Sequence, residues 1–134
     1  MEIFVDTSAF IAILNENDSA HTRASNFWRE LVLANATLVV TNYVLLETIA
    51  LVQRRYGMET LQIFQQNIVP HLEIVWFDAG LHALAMQQVF EHHRRDLSLV
   101  DCASFVVMRT RNLPRVFTFD AHFDAPGFVR VPAA

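Results

Sequence analysis

Ile3-Phe4-Val5-Asp6-Thr7-Ser8 sets three apolar residues, two of them β-branched, directly against an acid and two hydroxyls. A short apolar run that stops on such a cluster reads as a buried strand. Asp, Thr and Ser are also the side chains that satisfy the open N–H groups of a helix's first turn. The stretch predicts a first strand over 3–5 that hands over to a helix, with Asp6 at the strand's carboxyl end.

The same unit recurs along the chain. Thr37-Leu38-Val39-Val40 precedes Thr41-Asn42, Glu73-Ile74-Val75-Trp76-Phe77 precedes Asp78, and Val116-Phe117-Thr118-Phe119 precedes Asp120. Phe128-Val129-Arg130-Val131 predicts a short last strand. Helices are expected over 9–14 and, after a cap at Asp18-Ser19, along an amphipathic stretch with Ala24, Phe27, Trp28 and Leu31 inward. Further helices are expected over 43–56, stopped by Gly57, over 58–69, closed by Pro70, and over 79–95, capped by Asp78. Ser98-Leu99-Val100-Asp101 has the capping-box pattern and opens a helix to 108, which Asn112-Leu113-Pro114 stops. Short strands alternating with longer helices imply right-handed crossovers and a parallel sheet covered on both faces. The expected fold is α/β: a three-layer α/β/α arrangement with a mostly parallel central sheet of four to five short strands, forming one domain over 1–134.

Composition narrows the classes. With 53% hydrophobic residues among 134, the chain has ample core and is no candidate for disorder. No apolar run approaches the roughly 18 residues of a membrane span, and the start lacks the cationic and long apolar parts of a signal peptide. A cytoplasmic protein without membrane contact is expected. The only cysteine, Cys102, lies in an apolar run, which excludes a disulfide frame and predicts a buried filler. The net charge of -4 argues at first against a polyanionic ligand. All ten cations are Arg, however, whose fixed fork suits phosphate, and divalent cations held by clustered acids would invert the local field.

In parallel sheets, ligands gather outside the carboxyl ends of the strands. Asp6 and Asp120 each follow a strand and belong at that rim. Glu47 stands in Val44-Leu45-Leu46-Glu47-Thr48-Ile49-Ala50-Leu51, apolar on nearly every helical face, so partial burial is expected. Asp101 begins a helix that departs from the same rim. Four converging carboxylates without a His or Cys ligand set make a hard, all-oxygen site, which favours magnesium or manganese. Such a site can activate water for phosphodiester hydrolysis, in keeping with the absence of any Ser-His-Asp or Cys-His pattern. Hydroxyls of Ser8, Ser98 and Thr118 flank the acids and are expected to orient them. Each also has a local reading: Asp6 as a cap, Asp101 as half of a capping box, Asp120 as a turn former. Asp78 is read as a plain N-cap. Asp124, four residues past Asp120, is left open between site and local turn. The His92-His93-Arg94-Arg95 run reads as a solvated helix end rather than a zinc site. Arg109, Arg111 and Arg115 are phosphate-contact candidates only if they share the acidic rim.

Asp6-Thr7-Ser8, Glu47 in its Val-x-x-Glu helix, Ser98-x-x-Asp101, and Thr118-Phe119-Asp120-Ala121-His122-Phe123 resemble the four acidic motifs of the PIN-domain family, in the family's order. The resemblance spans nearly the whole chain, and its length is similar to VapC-type toxins of toxin-antitoxin pairs. It implies a metal-dependent endoribonuclease using Mg2+ or Mn2+, a homodimer, and inhibition by a small antitoxin in an apolar groove. By motif, Asp6, Glu47, Asp101 and Asp120 become the metal and catalytic residues; the family's last acidic region is variable, which leaves Asp124 undecided. Phe27, Trp28, Leu61 and Phe64 lie on helices that could line the partner groove, each with ordinary core as the competing reading. Aspartate-phosphorylating domains fit poorly, since they characteristically use a Lys and this chain has none. A PIN nuclease outside toxin-antitoxin pairs, acting in RNA processing or on structured DNA, and a catalytically silent binding module remain the alternatives.

Overall fold

The computed structural model describes residues 1–133. Strands β1 (Glu2–Val5), β2 (Thr37–Thr41), β3 (Leu72–Val75), β4 (Arg115–Phe117) and β5 (Val129–Val131) pair in parallel in the order β3-β2-β1-β4-β5. Helices cover both faces in a three-layer α/β/α arrangement. They are α1 (Thr7–Leu14), α2 (His21–Leu33), α3 (Asn42–Tyr56), α4 (Met58–Ile63), α5 (Ala79–His92) and α6 (Leu99–Thr110). None of the described helices is long and apolar enough to cross a membrane.

Burial on both faces explains the continuous apolar character of the central strands: Phe4, Val5, Val39, Val40, Val116 and Phe117 are all fully enclosed. Edge-to-face aromatic pairs knit the layers: Phe27 of α2 meets Phe117 of β4 at 5.0 Å, and Phe10 of α1 meets Phe64 at 5.3 Å. Helix α1 packs on α2, α5 on α6, and α3 on both α1 and α6. Cys102 is buried in α6, as its run predicts.

The chain steps outward from β1 through β2 to the edge strand β3, then returns to the other side of β1 as β4. Strand order therefore reverses between β1 and β4. At such a switch point the loops diverge and leave a crevice at the carboxyl ends. The Asp6 N–H donates to the Phe117 carbonyl at 3.0 Å, so the central ladder runs right up to the first acid.

Several boundaries differ from expectation for identifiable reasons. The helix expected over 58–69 is α4 followed by a π turn, Phe64–Ile68, and a 3-10 turn, Val69–His71. Pro70 lacks an N–H and its ring opposes the carbonyl one turn back, so the α ladder cannot continue; the wider turn keeps both Phe64 and Ile68 buried. Phe64 is thus core and no part of a partner surface. The helix expected to 95 ends at His92, where His93 takes a left-handed conformation (φ 53°). Asp18 does not cap α2: its carboxylate binds the Ala20 N–H at 2.8 Å in the preceding loop, and Ala20 holds the cap position without a side-chain bond. Strand β3 stops at Val75, two residues early, because Asn42 Oδ1 takes the Phe77 N–H at 2.7 Å. Strand β4 stops at Phe117, since the Phe119 N–H donates to Ser8 Oγ at 2.9 Å instead of to a strand.

Candidate metal centre

Asp6 ends β1 and caps α1, accepting a long bond from the Ser8 N–H at 3.4 Å. Only 5% of its surface is exposed. Its Oδ2 also faces two hydroxyls, Ser8 Oγ and Thr118 Oγ1, each at 3.0 Å, and those hydroxyls lie 2.9 Å from one another. Each hydroxyl has one proton, so both can donate to an ionised Asp6 only by forgoing the bond between them. Thr118 Oγ1 in turn accepts from the Asp120 N–H at 3.0 Å. One threonine, immediately past the end of β4, therefore spaces two of the acids.

Asp101 occupies the first turn of α6 within a complete capping box: Ser98 Oγ accepts the Asp101 N–H at 3.1 Å, and Asp101 Oδ2 accepts the Ser98 N–H at 3.2 Å. The cap engages one carboxylate oxygen. Among the described residues the other has no hydrogen-bond partner, so capping and site geometry do not compete. Asp120 caps the short turn Ala121–Phe123 through its bond from the His122 N–H at 2.9 Å. Glu47 comes from the middle of α3, beside Thr48, whose hydroxyl donates to Thr7 Oγ1 at 3.1 Å.

These elements bring all four acids to one cleft of about 290 Å³, which Ser8, Thr7, Ile11, Leu51 and Phe119 also line. Glu47 reaches the cleft with much of its side chain exposed, while its carboxyl is partly desolvated, in keeping with the partial burial expected of it. Asp124 is not brought there. It pairs with Arg130 at 2.9 Å and lines a neighbouring hollow. Of the candidate arginines, Arg111 pairs with Glu73 and Arg115 begins β4, both at the amino ends of strands and away from the acidic rim, while Arg109 lies over Phe128.

Two cleft neighbours escaped the sequence reading. Asp18 lines the cleft from the loop between α1 and α2, although its spacing suggested only a cap. His122 places its Nδ1 3.3 Å from Asp120 Oδ1 and 3.6 Å from Asp101 Oδ2, with no hydrogen bond satisfying that buried nitrogen. A ligand atom from each of Asp101, Asp120 and His122 falls within 4.8 Å of the others. The only local signal was a His two residues past a strand-end acid.

Electrostatics follow from this crowding. Burial pushes the Asp6 carboxyl up to about 6, against the lowering effect of the Thr118 and Ser8 hydroxyls, and the charge on Asp101 adds to the rise. Desolvation likewise raises Glu47, opposed by the Thr7 hydroxyl and reinforced by Asp101 and Asp120. Asp101 is raised chiefly by desolvation and then by Asp120, while the Ser98 backbone and His122 lower it. Carboxyls that raise one another at a cleft, beside an unsatisfied imidazole nitrogen, form a donor set suited to a divalent cation, which would relieve the repulsion.

A family model for the PIN domain matches residues 3–129. The chain is 34% identical over 132 residues to the 23S rRNA-specific endonuclease VapC20 of Mycobacterium tuberculosis, covering 96% of this chain and 97% of that protein. The crystal structure of that VapC20, described as a sarcin-ricin loop cleaving toxin, matches with a TM-score of 0.82 at 32% identity, over 95% of this chain and 96% of the other. A VapBC2 structure from Rickettsia felis, bound to a promoter DNA fragment, shares the fold with a TM-score of 0.70 at 17% identity over 97% of each chain. On a family model spanning nearly its whole length and a curated relative at this identity, the chain belongs to the PIN domain family.

Proposed function

We propose that this protein is a divalent-metal-dependent endoribonuclease, the toxin of a toxin-antitoxin pair, with residues 1–134 acting as one nuclease domain. The observation that carries the reading is the convergence of Asp6, Glu47, Asp101 and Asp120, from four separate elements, on one cleft at the sheet's switch point. These four are the metal and catalytic residues in this reading, with Ser8, Ser98 and Thr118 orienting them and His122 available as a nitrogen donor. Mg2+ or Mn2+ suits a set dominated by carboxylate oxygens. When bound, the ion supplies activation of water and a counter-charge for the phosphate.

The chain's own contribution is orientation and exclusion. The two hydroxyls on Asp6 Oδ2 fix that carboxylate's rotation, and Thr118 sets its spacing from Asp120. The Ser98 box fixes Asp101 at the helix's first turn. Ile11 and Leu51 give the cleft an apolar wall that limits water around the reacting phosphate.

The 34% identity to VapC20 over almost the full length of both chains supports the sarcin-ricin loop of 23S rRNA as the substrate in this reading. A cytoplasmic location, a homodimer and neutralisation by a small antitoxin are what the resemblance to VapC-type toxins implies. The hollow lined by Trp28, Ile13 and Val32 between α1 and α2 is an apolar place for that partner.

The test is incubation of purified protein, freed of copurified inhibitor, with 23S rRNA and a mixed RNA panel in Mg2+ or Mn2+. Chelator and an Asp6→Asn, Asp101→Asn double variant run in parallel. Cutting by the wild type alone, lost with chelator, is the expected result. Equal cutting by the variant, or no cutting of any RNA by folded protein, overturns the reading.

A further inference from the structure

The acid cleft presents an electrostatic problem that its own lining does not solve. Its residues include five carboxylates, counting Asp18, and no cation. A polyanion entering there needs positive charge alongside, because phosphate contacts supply most of the affinity of nucleic-acid binding. In a chain of net charge -4 without lysine, arginines near the cleft carry that requirement.

Phe119 is the aromatic residue in the cleft lining, and it also lines the adjoining hollow of about 430 Å³ with Arg23 and Arg130. The Arg23 guanidinium carbon stands 5.2 Å from the Phe119 ring centroid. Arg130 is occupied by Asp124, whereas Arg23 has no carboxylate partner among the described residues. Stacking on an aromatic face holds a guanidinium in place while leaving its N–H donors free. The Phe119 backbone is tied to the acids: its N–H donates to Ser8 Oγ, and Ser8 Oγ donates to Asp6 Oδ2. Two bonded steps therefore link the residue bearing the unpaired cation to the most buried acid.

We propose that Arg23, seated on Phe119, binds a backbone phosphate of the RNA strand flanking the one in the acid cleft, so that the strand runs from the cleft across Phe119 into the adjoining hollow. This rests on the ribonuclease reading of the cleft. Arg23 is then a substrate-binding residue in the first turns of α2, and its role is charge and orientation.

The experiment measures binding without cleavage. A labelled RNA hairpin carrying the sarcin-ricin loop is titrated by fluorescence anisotropy with the Asp101→Asn protein in magnesium, between about 50 and 200 mM salt. Adding Arg23→Gln should weaken binding on the order of tenfold at low salt. It should also flatten the plot of log affinity against log salt by about 0.7 to 0.9, the signature of one lost phosphate contact. Arg23→Lys, which keeps the charge, should recover most of the slope. Arg54→Gln with Arg55→Gln, at the far end of α3, should leave the slope unchanged. An unchanged slope for Arg23→Gln, or a loss equalled by the Arg54, Arg55 pair, overturns the assignment while the nuclease reading stands. Failure of both this parent and the wild type to bind any RNA in magnesium overturns both.

Discussion

Asp6 and Asp78 have the same local grammar: each follows a parallel strand, and each caps the next helix through its carboxylate. Asp6 follows the central strand β1, is enclosed, and faces Ser8 and Thr118. Asp78 follows the edge strand β3, is exposed, and its Oδ1 takes only the Leu81 N–H at 2.9 Å. The difference lies in neither residue. A central strand end is flanked on both sides, so β4 delivers Thr118 and Asp120 while α3 and α6 deliver Glu47 and Asp101. An edge strand end has one flank and meets solvent on the other. Position within the sheet makes one cap a candidate site and leaves the other a cap.

The sharpest way to break this comparison is cleavage. Asp6→Asn should lower the rate by about three orders of magnitude, since several kcal/mol of transition-state stabilisation depend on an intact metal set. Asp78→Asn should leave the rate unchanged. Equal effects in the single-turnover assay would mean that sheet position does not discriminate.

Metal-free stability offers a second test. The folded Asp6 carboxyl titrates near 6, above its ordinary 3.8, so the folded state holds the proton more tightly than the unfolded state. Stability from this group is complete below 3.8 and is lost as pH rises through about 6, amounting to about 3 kcal/mol. In chelator, urea denaturation should therefore show Asp6→Asn gaining on wild type as pH rises from 4 to 7. A difference that does not vary with pH counts against a buried, desolvated carboxyl.

Thr118 probes the link between two acids. Thr118→Val removes a donor to Asp6 and the acceptor for the Asp120 N–H while nearly conserving shape. Activity should fall about 10- to 100-fold, the usual cost of losing a group that orients metal ligands, and metal affinity by calorimetry should fall with it. Unchanged metal affinity would reduce Thr118 to a strand residue.

The smallest effect belongs to the edge. Asp78→Ala should cost about 1 kcal/mol of stability through the lost N-cap, with cleavage per folded molecule intact. Loss of activity without loss of stability would place Asp78 in the chemistry and undo the contrast.

Much of this was legible locally. The caps at Asp6, Thr41, Asp78 and Ser98 appear as expected, because a cap is a contact between residues two or three apart. Asp6, Asp101 and Asp120 could be nominated because strand ends and helix starts in a parallel sheet share one rim, and Glu47 because it stands in an otherwise apolar helical run. Asp18 and His122 could not, since each reaches the cleft along a loop whose path no periodicity encodes. The side of α3 that meets the cleft was also hidden: a run apolar on nearly every helical face does not say which face that is.

By itself, the sequence determined the alternation of buried strands and capped helices and the all-arginine cation set, and it nominated four candidate acids, since these depend on side-chain chemistry and near neighbours. Only the tertiary structure decided which strand end is central, that Thr118 binds Asp6 from 112 residues away, that Asp124 is held by Arg130, and that Phe119 carries Arg23 to the cleft's edge. The Thr118–Asp6 bond arises where β4 is laid beside β1, which brings groups far apart in sequence within hydrogen-bonding distance.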